Sequence, residues 1–79
     1  MLSVDKLRNI VEAALFASPT PLNHEQLAAL FGDDERPSKT TLRSIISELQ
    51  QRYTDCGVEL TEKSGGYHFQ VPDGYAEWV

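Results

Sequence analysis

His24, His68, Cys56, the acidic run Asp33-Asp34-Glu35 and the pair Gly65-Gly66 are where this 79-residue chain holds groups suited to acid–base, metal or phosphate chemistry. A nucleophilic triad needs a histidine within reach of a hydroxyl or thiol and an acid to orient it. The two histidines fall on different elements, and neither has such a partner at motif spacing, so both read as surface side chains. A zinc site needs clustered sulfur and nitrogen ligands, and one cysteine without clustered histidines supplies none; Cys56 reads as a small residue ending a helix. The acidic run lacks the alternating oxygen ligands and the glycine of a calcium loop, and reads as a hydrated connector. No lysine-bearing helix start follows Gly65-Gly66, so these are hairpin glycines rather than a phosphate cradle. The residues predict no catalytic, cofactor or metal site, and the chain is expected not to be an enzyme.

Recognition is the remaining chemistry. Between Ser38 and Tyr53 the apolar residues Leu42, Ile45, Ile46 and Leu49 share one helical face with Tyr53, which turns Lys39, Thr40, Arg43, Ser44, Ser47, Gln50 and Gln51 outward. Arginine can grip a guanine edge and glutamine an adenine edge, each with two hydrogen bonds. The same mixture is also the ordinary solvated face of a helix, and charge favours that second reading. Seven Lys and Arg stand against twelve Asp and Glu, a net of -5 and a pI near 4.8, whereas proteins that live on phosphate backbones carry a clustered basic excess. Residues 1–38 hold three basic and six acidic groups, residues 39–71 four of each, and residues 72–79 two acids. Direct DNA binding is therefore not expected.

Seventy-nine residues allow one small domain, with about a dozen large side chains to stabilise it. A single cysteine forms no internal disulfide and fits a reducing, cytoplasmic setting. No stretch approaches the ~20 continuous apolar residues of a membrane span.

The elements follow from periodicity and caps. Ser3 is suited to cap a first helix whose Val4, Leu7, Val11, Ala14 and Leu15 form one inward face, ended by Ser18-Pro19-Thr20-Pro21. Leu22 is expected on a very short extended piece. Asn23 and Gln26 have the spacing of a capping box, opening a helix of about two turns that buries Leu27, Leu30 and Phe31 and stops at Gly32 as a left-handed cap. Ser38 caps the third helix, which Cys56-Gly57 breaks. Val58 to Val71 then reads as a hairpin turned at Ser64-Gly65-Gly66, with Val58, Leu60, Tyr67, Phe69 and Val71 on one face, and with Gly65-Gly66 supplying positive φ. At its turn Lys63 has Glu59 and Glu62 as neighbours. Helix, short extended piece, helix, helix, strand, strand is the order of a winged helix-turn-helix, mainly α with a small β-hairpin. Residues 1–71 make that domain and residues 72–79 an exit segment.

Some apolar residues exceed what this core needs. Phe16 falls roughly opposite the buried stripe of the first helix, flanked by Ala13 and Ala17. It either tucks against the turn from Pro19 to Leu22 or serves an interface. Tyr75 and Trp78 come after the domain should be complete, and either cover the hairpin or begin a further segment. An ending on Trp-Val looks like a cut chain.

The stretches Ile10-Val-Glu-Ala-Ala-Leu-Phe-Ala-Ser-Pro-Thr-Pro-Leu22, Gln26-Leu27-Ala28, Ile46-Ser-Glu-Leu-Gln-Gln-Arg-Tyr53, Gly57-Val-Glu-Leu-Thr-Glu-Lys-Ser-Gly-Gly-Tyr-His-Phe-Gln-Val71 and Tyr75-Ala-Glu-Trp-Val79, in this order, resemble the N-terminal part of the bacterial segregation and condensation protein B (ScpB) family. The acidic connector from Gly32 to Pro37 does not match the family pattern. The resemblance implies two winged-helix domains in tandem, the second absent from this chain. It also implies a non-enzymatic, homodimeric subunit of the bacterial condensin complex. Such a subunit binds the kleisin ScpA, and through it the Smc ATPase, in the cytoplasm and on the nucleoid. For such partners the expected anchors are Phe16, Tyr67 and Trp78, with Arg43 as a rim contact. The alternative reading is a winged-helix transcription regulator that uses the third helix as its DNA reader.

Overall fold

The computed structural model describes residues 2–79. Helix α1, Val4–Ala17, begins where the Ser3 hydroxyl accepts the Lys6 N–H at 3.1 Å. Helix α2, His24–Ala28, opens on a complete capping box: Asn23 Oδ1 accepts the Gln26 N–H at 2.8 Å, and Gln26 Oε1 accepts the Asn23 N–H at 2.9 Å. Helix α3, Lys39–Arg52, is capped by Ser38. Strands β1, Glu59–Lys63, and β2, Gly66–Gln70, form an antiparallel hairpin in which Leu60 faces Phe69 and Glu62 faces Tyr67. A 3-10 helix, Asp73–Trp78, follows. The expected winged helix-turn-helix order is present.

One apolar cluster joins these pieces. Leu7, Val11 and Leu15 of α1 meet Leu27 and Phe31, the α3 stripe Leu42, Ile45, Ile46 and Leu49, and Leu60 of the hairpin, all buried. Burial of each such side chain is worth roughly 1.5–3 kcal/mol before conformational entropy is counted. Two polar links tie α1 to α3 along the edge of this core. Arg8 donates to Glu48 at 3.3 Å, and the Tyr53 hydroxyl donates to the carboxylate of Glu12, which also faces Arg52 at 3.8 Å.

The hairpin is pinned to the body through Leu22. Its N–H donates to the Tyr67 carbonyl at 3.0 Å, and its carbonyl accepts from the Tyr67 N–H at 2.8 Å. This is the short extended piece read from the sequence.

Six details differ from the sequence reading. Val4 lies exposed, one turn before the buried stripe starts at Leu7. Leu30 is half exposed because α2 stops at Ala28 and the chain then tightens. Leu30 and Phe31 donate to the carbonyls of Leu27 and Ala28 in i to i−3 bonds, and this faster turning directs Phe31, not Leu30, inward. Gly32 is therefore no left-handed cap; the capping position is Ala29, in right-handed helical conformation. The end of α3 is made by Tyr53 and by Asp55, whose φ of 57° reverses the chain, so the break precedes Cys56-Gly57. In the hairpin, positive φ falls on Ser64 (54°) and Gly65 (80°), the pattern of a two-residue turn matching strand twist, and Val71 lies beyond β2 with its side chain exposed.

Gly66 serves by its lack of a side chain. A Cβ there would lie 3.0 Å from both the Leu22 carbonyl carbon and the Pro21 Cβ, inside the bridge that pins the hairpin. Gly66→Ala is expected to lower unfolding free energy by roughly 1–3 kcal/mol, and Gly65→Ala by about 1 kcal/mol through left-handed strain, whereas Gly32→Ala, in open space, stays within about 0.5 kcal/mol of the parent. Urea titration followed by circular dichroism measures all three.

The Tyr53 phenol offers a pH test. Its hydrogen bond to Glu12, then burial, then the Glu12 charge raise its pKa above the ordinary 10.0. The folded state therefore holds this proton more tightly than the unfolded chain does. Its contribution is complete below about pH 10 and is lost as pH rises through the raised folded value. Tyr53→Phe is expected to cost about 1 kcal/mol at neutral pH and to flatten the alkaline fall in stability, read from melting temperature against pH.

Candidate partner-binding surface

Helix α3 places its polar residues where its periodicity put them. Lys39, Thr40, Arg43, Ser44, Ser47, Gln50 and Gln51 are all exposed, because Leu42, Ile45, Ile46 and Leu49 hold the opposite face in the core. Three of the four arginines are committed to acids: Arg8 to Asp5 and Glu48, Arg36 to Asp33, and Arg52 to Glu12. Among the described residues Arg43 has no carboxylate within 4 Å, so it is the arginine free to meet a partner. The hairpin tip carries Lys63 with Glu62 beside it. Glu59 stands at the far end of β1, bonded to Gln70 at 3.1 Å, and so lies away from the turn rather than close to Lys63.

The other expected anchors occupy three elements. Phe16, in the last turn of α1, is 75% exposed, and its ring meets Phe69 edge-on at 6.3 Å. Phe69 stands in turn against Tyr53 at 5.0 Å. Phe16 thus leans on the wing of the domain, where the sequence offered the choice between the Pro19–Leu22 turn and an interface. Tyr67 is half-buried in β2, two residues from Phe69 and on the same strand face, with its ring edge-on to His24 at 5.4 Å. Trp78 is 73% exposed at the end of the 3-10 helix. Tyr75, half exposed in the same helix, lines an open groove with Tyr53, Leu60 and Pro72.

The row Phe16–Phe69–Tyr53 was not legible as a unit. Its members lie on a helix, a strand and the cap of another helix, and no spacing along the chain relates them. The sequence signal was weaker: Phe69 in phase with Leu60, and Tyr53 in phase with Leu49.

The histidines are less exposed than a surface reading expects. His24 and His68 are both half-buried, and His24 Nε2 and His68 Nδ1 are withdrawn from solvent without hydrogen-bond partners. His24 borders a groove between α2 and α3, with Lys39 and Leu42 across from it. Cys56 is half-buried, its thiol 3.4 Å from the Thr54 carbonyl and 3.6 Å from that of Arg52. Among the described residues no three His, Cys, Asp or Glu side chains come together as a metal site, and no helix is long and apolar enough to cross a membrane.

Known proteins resemble the chain along nearly its whole length. It is 39% identical over 70 residues to a segregation and condensation protein B homolog of Coxiella burnetii, a match covering 89% of this chain and 34% of that one. Segregation and condensation protein B of Syntrophotalea carbinolica is 36% identical over 76 residues, covering 94% and 36%. The chain thus spans about a third of the length of these relatives. Among solved structures, ScpB from Mycobacterium tuberculosis superposes with a TM-score of 0.83 at 26% identity, covering 100% of this chain and 48% of that one. A dimer of an ScpB N-terminal domain complexed with an ScpA peptide superposes with a TM-score of 0.81 at 28% identity, covering 99% and 88%. The family model described as segregation and condensation complex subunit ScpB matches residues 9–79, and the chain belongs to that family.

Proposed function

We propose that this chain acts as a non-enzymatic subunit of a bacterial condensin complex, forming a homodimer and binding the kleisin ScpA, through which it reaches Smc, in chromosome condensation and segregation. The observation that carries this reading is its likeness, over 99% of its length, to an ScpB N-terminal domain solved as a dimer with an ScpA peptide. That domain is nearly the same size as this chain, so dimer and kleisin contacts both fit within these residues. Residues 1–71 serve as the winged-helix unit and residues 72–79 as an exit segment toward a second winged-helix domain. The protein works in the cytoplasm, on the nucleoid.

Charge supports protein contacts over nucleic acid. A net of -5, with three of four arginines already paired to acids, leaves little to neutralise phosphates. Phe16, Tyr67 and Trp78 serve as apolar anchors of the partner surfaces, and Arg43 as a rim contact that steers a kleisin segment.

A fluorescent ScpA peptide titrated with this chain is expected to bind saturably at micromolar or tighter Kd, while a labelled DNA duplex at 0.15 M salt gives no saturable signal. Micromolar duplex binding with a salt slope of several released counterions, and no peptide binding, would overturn the proposal in favour of a DNA-reading regulator.

A further inference from the structure

We infer that the free edge of the hairpin captures an extended, cationic segment of another protein, which adds a further strand along β1 and seats an apolar side chain in the groove at the base of that strand. This contact goes beyond the dimer and kleisin reading above and uses none of its anchors. The pairing pattern leaves the edge open. Tyr67 turns its N–H and carbonyl toward Leu22, with which it exchanges bonds of 2.8 and 3.0 Å, and so away from β1. Glu62, its register partner, therefore sits in a non-hydrogen-bonded pair, and the backbone groups of Glu62 and of Leu60, two residues away, point out from the hairpin. Among the described residues none of these four groups has a backbone partner on that side, although Leu60 is itself buried. Main-chain groups so placed need a hydrogen bond. The two N–H and carbonyl pairs lie about 7 Å apart along the strand, the spacing at which alternate residues of an incoming strand present theirs.

Charge and shape select the occupant. The base of β1 lines an open groove walled by Tyr53, Leu60, Pro72 and Tyr75, and the charged residues of that lining are Asp55 and Glu59, both acids. Glu62 follows along the same edge. Arg52, the base closest in sequence to Asp55, is turned to Glu12, and Lys63 lies beyond, at the hairpin turn. An acidic segment is repelled here. Leu60 faces inward and Glu59 outward on alternating sides of the strand. A segment that alternates lysine or arginine with apolar residues thus sets cations beside the carboxylates and an apolar side chain against Tyr53 and Tyr75. Toward the tip, the exposed charges of Glu62 and Lys63 guard the edge against indiscriminate pairing.

A short fluorescent peptide alternating lysine with valine, titrated into the full chain at low salt, tests this by anisotropy, with amide chemical-shift mapping of the same mixture. Saturable binding with a Kd of roughly 0.1–1 mM is expected, with the Leu60 and Glu62 amides among the most shifted, and no binding of the same peptide with glutamate in place of lysine. Glu62→Pro deletes the outward N–H while sparing the bonds to β2, and is expected to weaken binding at least ~10-fold with the circular dichroism of the parent. Glu62→Gln, which keeps that N–H, weakens it only about 2–3-fold, and Tyr75→Ala about 5-fold. Should Glu62→Pro fail to fold, the shift map and Tyr75→Ala decide. The inference is overturned by absence of saturable lysine-peptide binding, by equal binding of the glutamate peptide, by shifts centred away from β1, or by parent-like binding of folded Glu62→Pro. Self-association of the chain that Glu62→Pro abolishes also overturns it, by giving the edge to a second copy. None of these outcomes bears on the kleisin contact, which the ScpA peptide titration reads separately.

Discussion

The apolar stripe of α3 is the constraint on which the rest of the molecule depends. Leu42, Ile45, Ile46 and Leu49 are the side chains that α1, α2 and the hairpin share, and all four are buried. A domain this small has no second core to fall back on. Holding this face inward fixes every other face: Lys39, Arg43 and the glutamines must point to solvent, and Phe16, on a different side of α1 from Leu7, Val11 and Leu15, cannot reach the core.

A second constraint sits where the hairpin joins the body. Leu22 and Tyr67 exchange two backbone hydrogen bonds, and the close approach leaves no room for a Cβ at Gly66. This joint sets the hairpin against the end of α1, and so brings Phe69 under Phe16. The aromatic row Phe16–Phe69–Tyr53 is therefore a by-product of sheet pairing as much as of helix packing. Polar links at the other edge, from Arg8 to Glu48 and from Tyr53 to Glu12, keep α1 and α3 in register without placing an unpaired charge in the core.

Charge weighs against a DNA-reading use of this fold. Winged helices place a helix where a major groove would lie, but attraction to that groove needs cations in excess of anions. In this chain most arginines satisfy carboxylates of the same molecule. Fold and function are thus separable: the scaffold is set by apolar periodicity, and the class of partner by what covers its surface.

The sequence by itself determined the element order, the three serine and asparagine caps, the α3 core stripe, the exposed polar face around Arg43 and the family. Each of these is a local pattern, a period or a cap, readable without knowing what lies across from it. It misplaced Leu30 and Gly32 because the end of α2 depends on how the chain tightens after Ala28, which competing backbone bonds decide. It also gave Gly66 the wrong task, since the reason for that glycine is Leu22, 44 positions away in the chain. Only the tertiary structure decided that Phe16 stands on Phe69, that Arg43 is the unpaired arginine among the described residues, and that both histidines are half-buried. Contacts between distant residues leave no period in the chain, and only packing reveals them.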